Sequence, residues 1–183
     1  MASVIVPLAP GCEELEAITI IDLLRRAGVE VVSAGLSEGP VTASRGTVLL
    51  PDTSLDIALQ RDYDMVVLPG GQPGANNLEA DPRIGKLLQD MSTAGKYTAA
   101  ICAAPKVLAA AGLLRDRRAT SFPGVLDVVD VPGMDLRTDP VVTDGNIVTS
   151  RGPGTAMDFS LHLIELLLGR AKRDEVEAAL QRP

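Results

Sequence analysis

The chain has 183 residues, of which 46% are hydrophobic and 22% are charged, so its length and composition suit a soluble globular protein with a sizeable core. Aromatic residues make up 2% of the chain and tryptophan is absent, so we expect a core of Val, Ile, Leu and Ala. The net charge of −7, without a run of Lys or Arg, argues against a protein that binds nucleic acids, whether generally or specifically.

The two cysteines, Cys12 and Cys102, are too few for a disulfide framework and favour the reducing cytoplasm. The N-terminus has no positively charged region of the kind that starts a secretory signal. The longest weakly polar stretch, residues 97–114, is interrupted by Pro105 and Lys106. We therefore expect neither a signal peptide nor a membrane-spanning segment.

In chain order, the first half of the sequence predicts a strand, a helix, a second strand, a small hairpin, a buried strand and a second helix. Apolar residues at helical spacing mark the first helix, and Gly28 ends it. The predicted ranges are Ser3–Leu8, 13–27, 29–34, the hairpin 41–43 with 47–50, Met65–Leu68 and 81–94.

The second half predicts a strand, a helix, a hairpin and two closing helices. The turn Asp144-Gly145-Asn146 is typical of a hairpin. The predicted ranges are Tyr97–Ile101, 104–111, the hairpin 141–143 with Ile147–Ser150, and the helices 155–168 and 172–180.

Strands alternate with helices, and the central strands are apolar on both faces. This pattern predicts an α/β fold in which a parallel sheet is sandwiched between helices on both faces. Ligands of such folds bind beyond the carboxyl ends of the strands. Three features fall at that edge, namely the loop over residues 10–16, the pair Gly70-Gly71, and Cys102.

Cys102 lies in the stretch AAICAAP, residues 99–105, between a predicted strand and a predicted helix. A turn of this kind exposes a nucleophile, and the positive end of the helix dipole is expected to lower the pKa of the thiol. The alternative is a small buried hydrophobe, because free cysteine is one of the most buried residue types. The heptad by itself does not decide between the two.

A nucleophile also needs hydrogen-bond donors for the oxyanion, and the backbone N–H groups of Gly71 and Ala103 are candidates. The alternative for Gly70-Gly71 is an ordinary strand end. The single histidine, His162, lies within an apolar predicted helix, so we expect it to be structural or surface-facing and far from Cys102.

The remaining proton carriers are the acids at the start of the first helix. Glu13 and Glu14 have a structural interpretation, since acids in a first turn complement the helix dipole. Glu16 lies deeper, between Leu15 and Ala17, where burial would raise the pKa of its carboxyl. A neutral Glu16 beside a thiolate would donate a hydrogen bond or act as a general acid and base.

Together these segments resemble the ThiJ/PfpI superfamily, and within it the bacterial YajL-like branch, which is related to the parkinsonism-associated protein deglycase. The resemblance spans nearly the whole chain, in order and at family spacing. Its segments are LAPGCEELEA (8–17), IDLLRRAG (21–28), LPGG (68–71), AAICAAP (99–105) and TSRGPGT (149–155).

The resemblance implies a flavodoxin-like sandwich, similar to class I glutamine amidotransferases, in a single domain over residues 1–183 that forms a homodimer. It implies that Cys102 is the oxidation-prone nucleophile and Glu16 its carboxylic partner. It places the oxyanion N–H groups at Gly71 and Ala103, and implies no cofactor.

The resemblance also implies residues around the pocket and the subunit interface. Gly70 lies at the pocket. Arg45 matches an arginine near the pocket and the dimer interface, and Arg26 matches one of a pair of interface arginines.

Two functions are implied by the resemblance. The first is a deglycase or glyoxalase acting on methylglyoxal, glyoxal and glycated proteins or nucleotides, which protects against carbonyl and oxidative stress. The second is a redox-sensing covalent chaperone whose Cys102 is oxidised to sulfenic or sulfinic acid without significant turnover. A peptidase or amidotransferase is disfavoured, because those relatives have His after the nucleophile and this chain has Ala103. No HExxH, CxxC or histidine cluster predicts a metal.

Two positions depart from the resemblance. Phe122 stands where the parkinsonism-associated branch has a histidine, which leaves Glu16 to carry out both proton transfers. Cys12 stands where relatives often have Ala or Ser. It is either a tolerated small residue or a thiol that resolves oxidised Cys102.

Overall fold

The structure, a computed structural model, describes residues 1–182. The strands are β1 (Ser3–Leu8), β2 (Glu30–Gly35), β3 (Val41–Thr42), β4 (Val48–Leu49), β5 (Thr53–Ser54), β6 (Met65–Leu68), β7 (Tyr97–Ile101), β8 (Arg118–Ala119), β9 (Asp135–Leu136), β10 (Val141–Asp144) and β11 (Ile147–Ser150). The α-helices are α1 (Glu14–Arg26), α2 (Leu55–Ala58), α3 (Gln72–Ala80), α4 (Pro82–Thr93), α5 (Pro105–Ala110), α6 (Ala156–Leu168) and α7 (Arg170–Ala179). Short 3₁₀ turns cover Leu126–Val128 and Pro153–Thr155.

Seven strands form one sheet in the order β10-β11-β7-β6-β1-β2-β5. Every neighbouring pair is parallel except β10 with β11, which form the predicted hairpin. The small hairpin β3-β4 is also present as predicted. The α/β class and the flavodoxin-like parallel sandwich are therefore confirmed.

The sheet separates two aliphatic clusters because successive side chains of a strand point to opposite faces. In β1, Val4 and Val6 join the cluster that includes α1 and α6, whereas Ile5 joins the cluster that includes α3, α4 and α5. This arrangement explains why the central strands are apolar on both faces. It also brings the carboxyl ends of β1, β6 and β7 side by side at one edge.

The sequence does not predict α3, which directly follows Gly70-Gly71. Its residues QPGANNLEA include Pro, Gly and two Asn, which are weak helix formers or helix breakers. Packing explains the difference, since Ala75 and Leu78 are buried against the sheet. Gly74 is needed there, because a Cβ on it would lie 2.6 Å from the Cα of Cys12.

The sequence also does not predict the short pair β8-β9 or helix α2, whose segments are only two to four residues long. Within residues 1–182, no helix combines the length and the apolar character that crossing a bilayer requires.

Candidate active site

Cys102 occupies a strained turn immediately after β7. Its φ of +64° is unusual for a residue with a side chain. The turn is held from both sides, since the Cys102 N–H donates to the Ser150 carbonyl (3.0 Å) and its carbonyl accepts from the Phe122 N–H (2.9 Å). The residue is also only partly buried. A small core filler requires neither the strain nor the exposure, so the geometry favours the nucleophile.

Gly70 allows this turn to approach β6 closely. A Cβ on Gly70 would lie 2.6 Å from the Cβ of Cys102 and 2.7 Å from Oε2 of Glu16. Gly71 has a φ of +83°, and a Cβ there would lie 2.6 Å from the backbone nitrogen of Glu13. The glycine pair therefore does more than end a strand, because it admits the nucleophile and the carboxyl to the same space.

Glu16 is fully buried, with 0% of its surface exposed. Its Oε2 accepts a hydrogen bond from the Gly70 N–H (2.8 Å), whereas Oε1 has no hydrogen-bond partner within residues 1–182. Burial raises the pKa of this carboxyl to about 7, although the bond from Gly70 lowers it. With a pKa near neutral pH, this carboxyl can either donate or accept a proton through Oε1. The pKa is raised, as the sequence predicts.

The expected lowering of the Cys102 pKa is wrong for this structure. Burial, followed by the negative charge of Glu16, raises the pKa of the thiol to about 12. The N–H groups of Gly71 and Ala103 do act on the sulfur and lower its pKa, but by less. The following helix α5 is short and begins with Pro105, which has no N–H to offer. The thiol therefore needs a base, and Glu16 is beside it.

Glu13 and Glu14 are bound to the β3-β4 hairpin by contacts that the sequence does not predict. The Ser44 hydroxyl lies 2.9 Å from the Glu13 carboxylate and 3.0 Å from that of Glu14. The backbone N–H groups of Arg45 and Thr47 also donate to Glu14. Desolvation raises the pKa of Glu14, but hydrogen bonds from the backbone and from Ser44 outweigh it and lower the pKa to about 2. The two acids therefore fasten the β3-β4 hairpin to the start of α1.

The two predicted interface arginines lie outside the cluster around Cys102. Arg45 is exposed on the hairpin loop, and its guanidinium has no carboxylate at ion-pair distance among residues 1–182. Arg26 lies at the other end of α1 from Glu16 and pairs with Asp22 on the same helix (2.6 Å). Within one chain, neither side chain is brought to the thiol.

The surroundings of Cys12 and His162 favour structural roles for both residues. Cys12 is fully buried, and burial together with the charge of Glu14 raises the pKa of its thiol to about 11. These properties favour the tolerated small residue over the resolving thiol. His162 Nε2 lies 2.7 Å from the Thr143 hydroxyl on β10, a strand that β11 separates from β7. This contact fits the predicted structural role.

Ser150 supports the nucleophile in a way that the sequence does not predict. Its hydroxyl donates to the Pro140 carbonyl (2.7 Å) and lies 2.7 Å from the Thr155 hydroxyl, while its own carbonyl holds Cys102. The segment TSRGPGT contributes to the resemblance, but only the three-dimensional contacts assign this role to its serine. Among residues 1–182, no group of three His, Cys, Asp or Glu side chains is arranged to hold a metal ion.

Comparisons with known proteins show the family of this chain. The sequence matches the DJ-1/PfpI family over residues 2–166. It is 45% identical over 181 residues to protein dj-1beta of Drosophila melanogaster, covering 97% of this chain and 96% of the relative. It is 37% identical over 175 residues to the glutathione-independent glyoxalase DJR-1.2 of Caenorhabditis elegans, covering 95% of this chain and 93% of the relative.

Solved structures extend the similarity to the backbone. The crystal structure of Drosophila melanogaster DJ-1beta superposes with a TM-score of 0.94 at 43% identity, covering 100% of this chain and 98% of that one. The structure of oxidised Toxoplasma gondii DJ-1 superposes with a TM-score of 0.92 at 36% identity, covering 98% of both chains. The predicted resemblance is confirmed.

Proposed function

Since this chain belongs to the DJ-1/PfpI family, we propose that it is a cysteine-dependent glyoxalase or deglycase that acts on methylglyoxal, glyoxal and their adducts without a cofactor. The observation that carries this proposal is the buried Glu16 carboxyl, whose pKa is raised to about 7 beside the strained Cys102. The C. elegans relative, which is named a glutathione-independent glyoxalase, supports the same reaction class.

In the proposed reaction, Cys102 attacks the aldehyde carbon of methylglyoxal. Glu16 accepts the thiol proton as the sulfur–carbon bond forms, and then donates it to the aldehyde oxygen. We assign the role of holding that oxygen while it is negative to the N–H groups of Gly71 and Ala103, and their action on the neighbouring sulfur supports this assignment. The product is a hemithioacetal on Cys102 and an unprotonated Glu16.

The second half-reaction moves a proton between two carbons. Glu16 removes the proton from the carbon bonded to sulfur and returns it to the neighbouring carbonyl carbon, while the hydroxyl proton of the hemithioacetal moves to the oxygen of that second carbon. The first carbon is thereby oxidised and the second reduced. Water hydrolyses the resulting thioester and restores the Cys102 thiol, so that methylglyoxal plus water has become lactate plus a proton. His162 contacts Thr143 on β10, which β11 separates from the strand before Cys102, so we assign both proton transfers to Glu16.

The same chemistry extends to adducts of methylglyoxal with an amine or a thiol, as in glycated proteins and nucleotides. Cys102 bonds to the adduct carbon, and the carbon–nitrogen or carbon–sulfur bond breaks. The leaving amine or thiol takes its proton from Glu16. The hemithioacetal then follows the path already described, so one site serves both the glyoxalase and the deglycase reaction.

The alternative function is a redox-sensing chaperone, and the same pocket supports it. A peroxide would oxidise Cys102 to a sulfenic and then a sulfinic acid. A neutral Glu16 and the N–H groups of Gly71 and Ala103 are donors for the sulfinate oxygens. The oxidised state of the Toxoplasma gondii relative is a specific observation in favour of this alternative.

A homodimer is part of the proposal. Leu15 and Ile18 on α1, and Val48 and Leu50 around β4, are exposed large apolar side chains on elements that Glu14 ties together. A second copy that covers this patch removes an exposed apolar surface. Its carboxylates would also supply partners for Arg45. Equilibrium sedimentation should show a dimer for the wild type and weaker association for Ile18→Asp. A wild type that is monomeric at all concentrations would contradict the proposed dimer.

The proposed chemistry also favours a cytoplasmic location. Both functions begin from a reduced Cys102 thiol, and the cytoplasm keeps thiols reduced.

The test is the conversion of methylglyoxal to lactate by the purified protein. We expect turnover by the wild type, its loss in Cys102→Ser and Glu16→Gln, and its retention in Cys12→Ala, which also removes one thiol. Turnover no faster in the wild type than in the two site variants would reject the enzyme for this substrate. The chaperone alternative would then be favoured.

A further inference from the structure

An apolar groove lies against the turn that carries Cys102. Its walls are the segment 151–155 on one side and Phe122, Pro123 and Pro140 on the other, and its volume is about 390 Å³. Three of these residues are prolines, whose fixed φ angles give the groove a preformed shape. We name it the proline groove.

Hydrogen bonds connect both walls of the proline groove to the nucleophile. The Phe122 N–H donates to the carbonyl of Cys102 (2.9 Å), and Phe122 belongs to one wall. The Cys102 N–H donates to the carbonyl of Ser150 (3.0 Å), and Arg151, the next residue, begins the other wall. The backbone of the nucleophile's turn is therefore bonded to the segments that form both walls of the groove.

Phe122 is an unusual residue to leave on this surface. The chain has two phenylalanines; Phe159 is fully buried, whereas 48% of Phe122 is exposed. The ring packs over Gly152, where a Cβ would lie 3.2 Å from its Cδ2. The φ of Gly152 is 166°, an extended conformation that other residues adopt, so the tight feature at this glycine is the space beside the ring and not the backbone angle. The exposed ring belongs to a residue whose backbone N–H is bonded to the carbonyl of Cys102.

Arg151 gives the proline groove a charge. It hydrogen-bonds the Thr138 carbonyl through Nη1 (3.2 Å) but has no carboxylate at ion-pair distance among residues 1–182. Most other basic side chains in that part of the chain have such a partner, for example Arg117 with Asp144. The end of the groove at Arg151 is thus suited to an anionic group.

We propose that the proline groove is a substrate subsite that binds an aryl-sized apolar substituent, with an anionic group at its far end placed on Arg151. The inference rests on the proposed function for the identity of the reacting group, a 2-oxoaldehyde. Methylglyoxal has only a methyl group to offer and leaves the groove empty. An aryl glyoxal fills it and covers the exposed face of Phe122, and a carboxylate on the ring reaches Arg151.

The first experiment compares kcat/KM for phenylglyoxal with that for methylglyoxal. We expect the wild type to prefer phenylglyoxal, and Phe122→Ala to lower the ratio about tenfold through loss of the aromatic contact. Ile57→Ala, which truncates an exposed apolar residue on α2, should leave the ratio unchanged. A ratio that Phe122→Ala does not alter would overturn the proposal.

The second experiment does not depend on turnover, so it separates failure of the subsite from failure of the proposed function. The rate of Cys102 alkylation is measured with N-ethylmaleimide, N-phenylmaleimide and N-(4-carboxyphenyl)maleimide, each divided by its rate with free glutathione. We expect the two aryl reagents to be favoured in the wild type and the preference to fall in Phe122→Ala. Absence of any aryl preference in the wild type would overturn the proposal.

The anionic part is tested with the same reagents. Arg151→Gln should slow the carboxyphenyl reagent several-fold more than the phenyl reagent, because only the first carries a charge for the guanidinium. An equal effect on both would reject the role of Arg151. Alkylation is read by peptide mass at Cys102, and the thermal unfolding midpoint of each variant shows that it is folded.

Discussion

Replacing Glu16 by glutamine is expected to remove a dependence of stability on pH. The pKa of Glu16 is about 7 in the folded chain, against 4.5 for a glutamate side chain exposed to water in the unfolded chain. The folded state therefore binds more protons than the unfolded state between these values. The stability that protonated Glu16 contributes is fully present below pH 4.5 and is lost as the pH rises through about 7. Glutamine has the same shape as the protonated acid and does not titrate.

The size of the effect follows from the two pKa values. Between about pH 5 and pH 8, the wild type should lose about 2–3 kcal/mol of unfolding free energy relative to Glu16→Gln. His162 titrates with the opposite sign in this range, since burial lowers its pKa, but it is present in both proteins and cancels in the difference. The Cys102 thiol, whose pKa is raised to about 12, stays protonated throughout.

The assay is urea unfolding of both proteins at several pH values across that range. Glu14→Gln is the matched control: the pKa of Glu14 is lowered to about 2, so its contribution changes only below pH 4.5. The control should differ from the wild type by the same amount at pH 5 and pH 8. A difference between wild type and Glu16→Gln that does not change with pH would refute the buried, neutral carboxyl.

Three further predictions concern the site. Gly70→Ala should destabilise the fold by about 1–3 kcal/mol in urea unfolding, because its Cβ would lie 2.6 Å from that of Cys102. The control Gly85→Ala on α4, where a Cβ would meet no atom within 4 Å, should not destabilise the fold, and equal losses in the two variants would contradict the steric argument. The kcat/KM for methylglyoxal should rise with pH through about 7 as Glu16 becomes a base; a flat profile would contradict that role. Iodoacetamide should label Cys102 in the folded protein and Cys12 only after unfolding, as read by peptide mass; early labelling of Cys12, or a Cys12–Cys102 disulfide after mild peroxide, would show that the buried thiol is accessible.

Much of the fold is readable in the sequence because its central strands are continuous apolar runs. Met65–Leu68, Tyr97–Ile101 and Ile147–Ser150 have the predicted bounds. Their order along the chain, with helices between them, predicts the parallel sheet and the edge where Cys102 and Gly70 meet. Helix α3 is different, because its polar, glycine-containing sequence becomes helical only through packing against the sheet and the loop at Cys12.

The protonation of the site is less predictable than its location. The position of Glu16 within an apolar stretch is sufficient to predict that its pKa is raised. The pKa of Cys102 depends on a carboxyl 86 positions earlier in the chain and on burial by β6, which no local pattern reports. The same holds for Ser150, whose support of the nucleophile depends on β11 lying beside β7.

The central claim is that Cys102 bonds to the substrate and that Glu16 then moves its proton. The most direct test is the peptide mass of protein quenched with acid during turnover of methylglyoxal. We predict one methylglyoxal on the Cys102 peptide of the wild type, which disappears when the substrate is consumed. In Glu16→Gln we predict an adduct that forms more slowly, because the base for the thiol is missing, and that then persists. We predict no adduct on this peptide in Cys102→Ser. Lactate formed at the same rate by Cys102→Ser, or by a wild type whose Cys102 carries no adduct, would contradict the account.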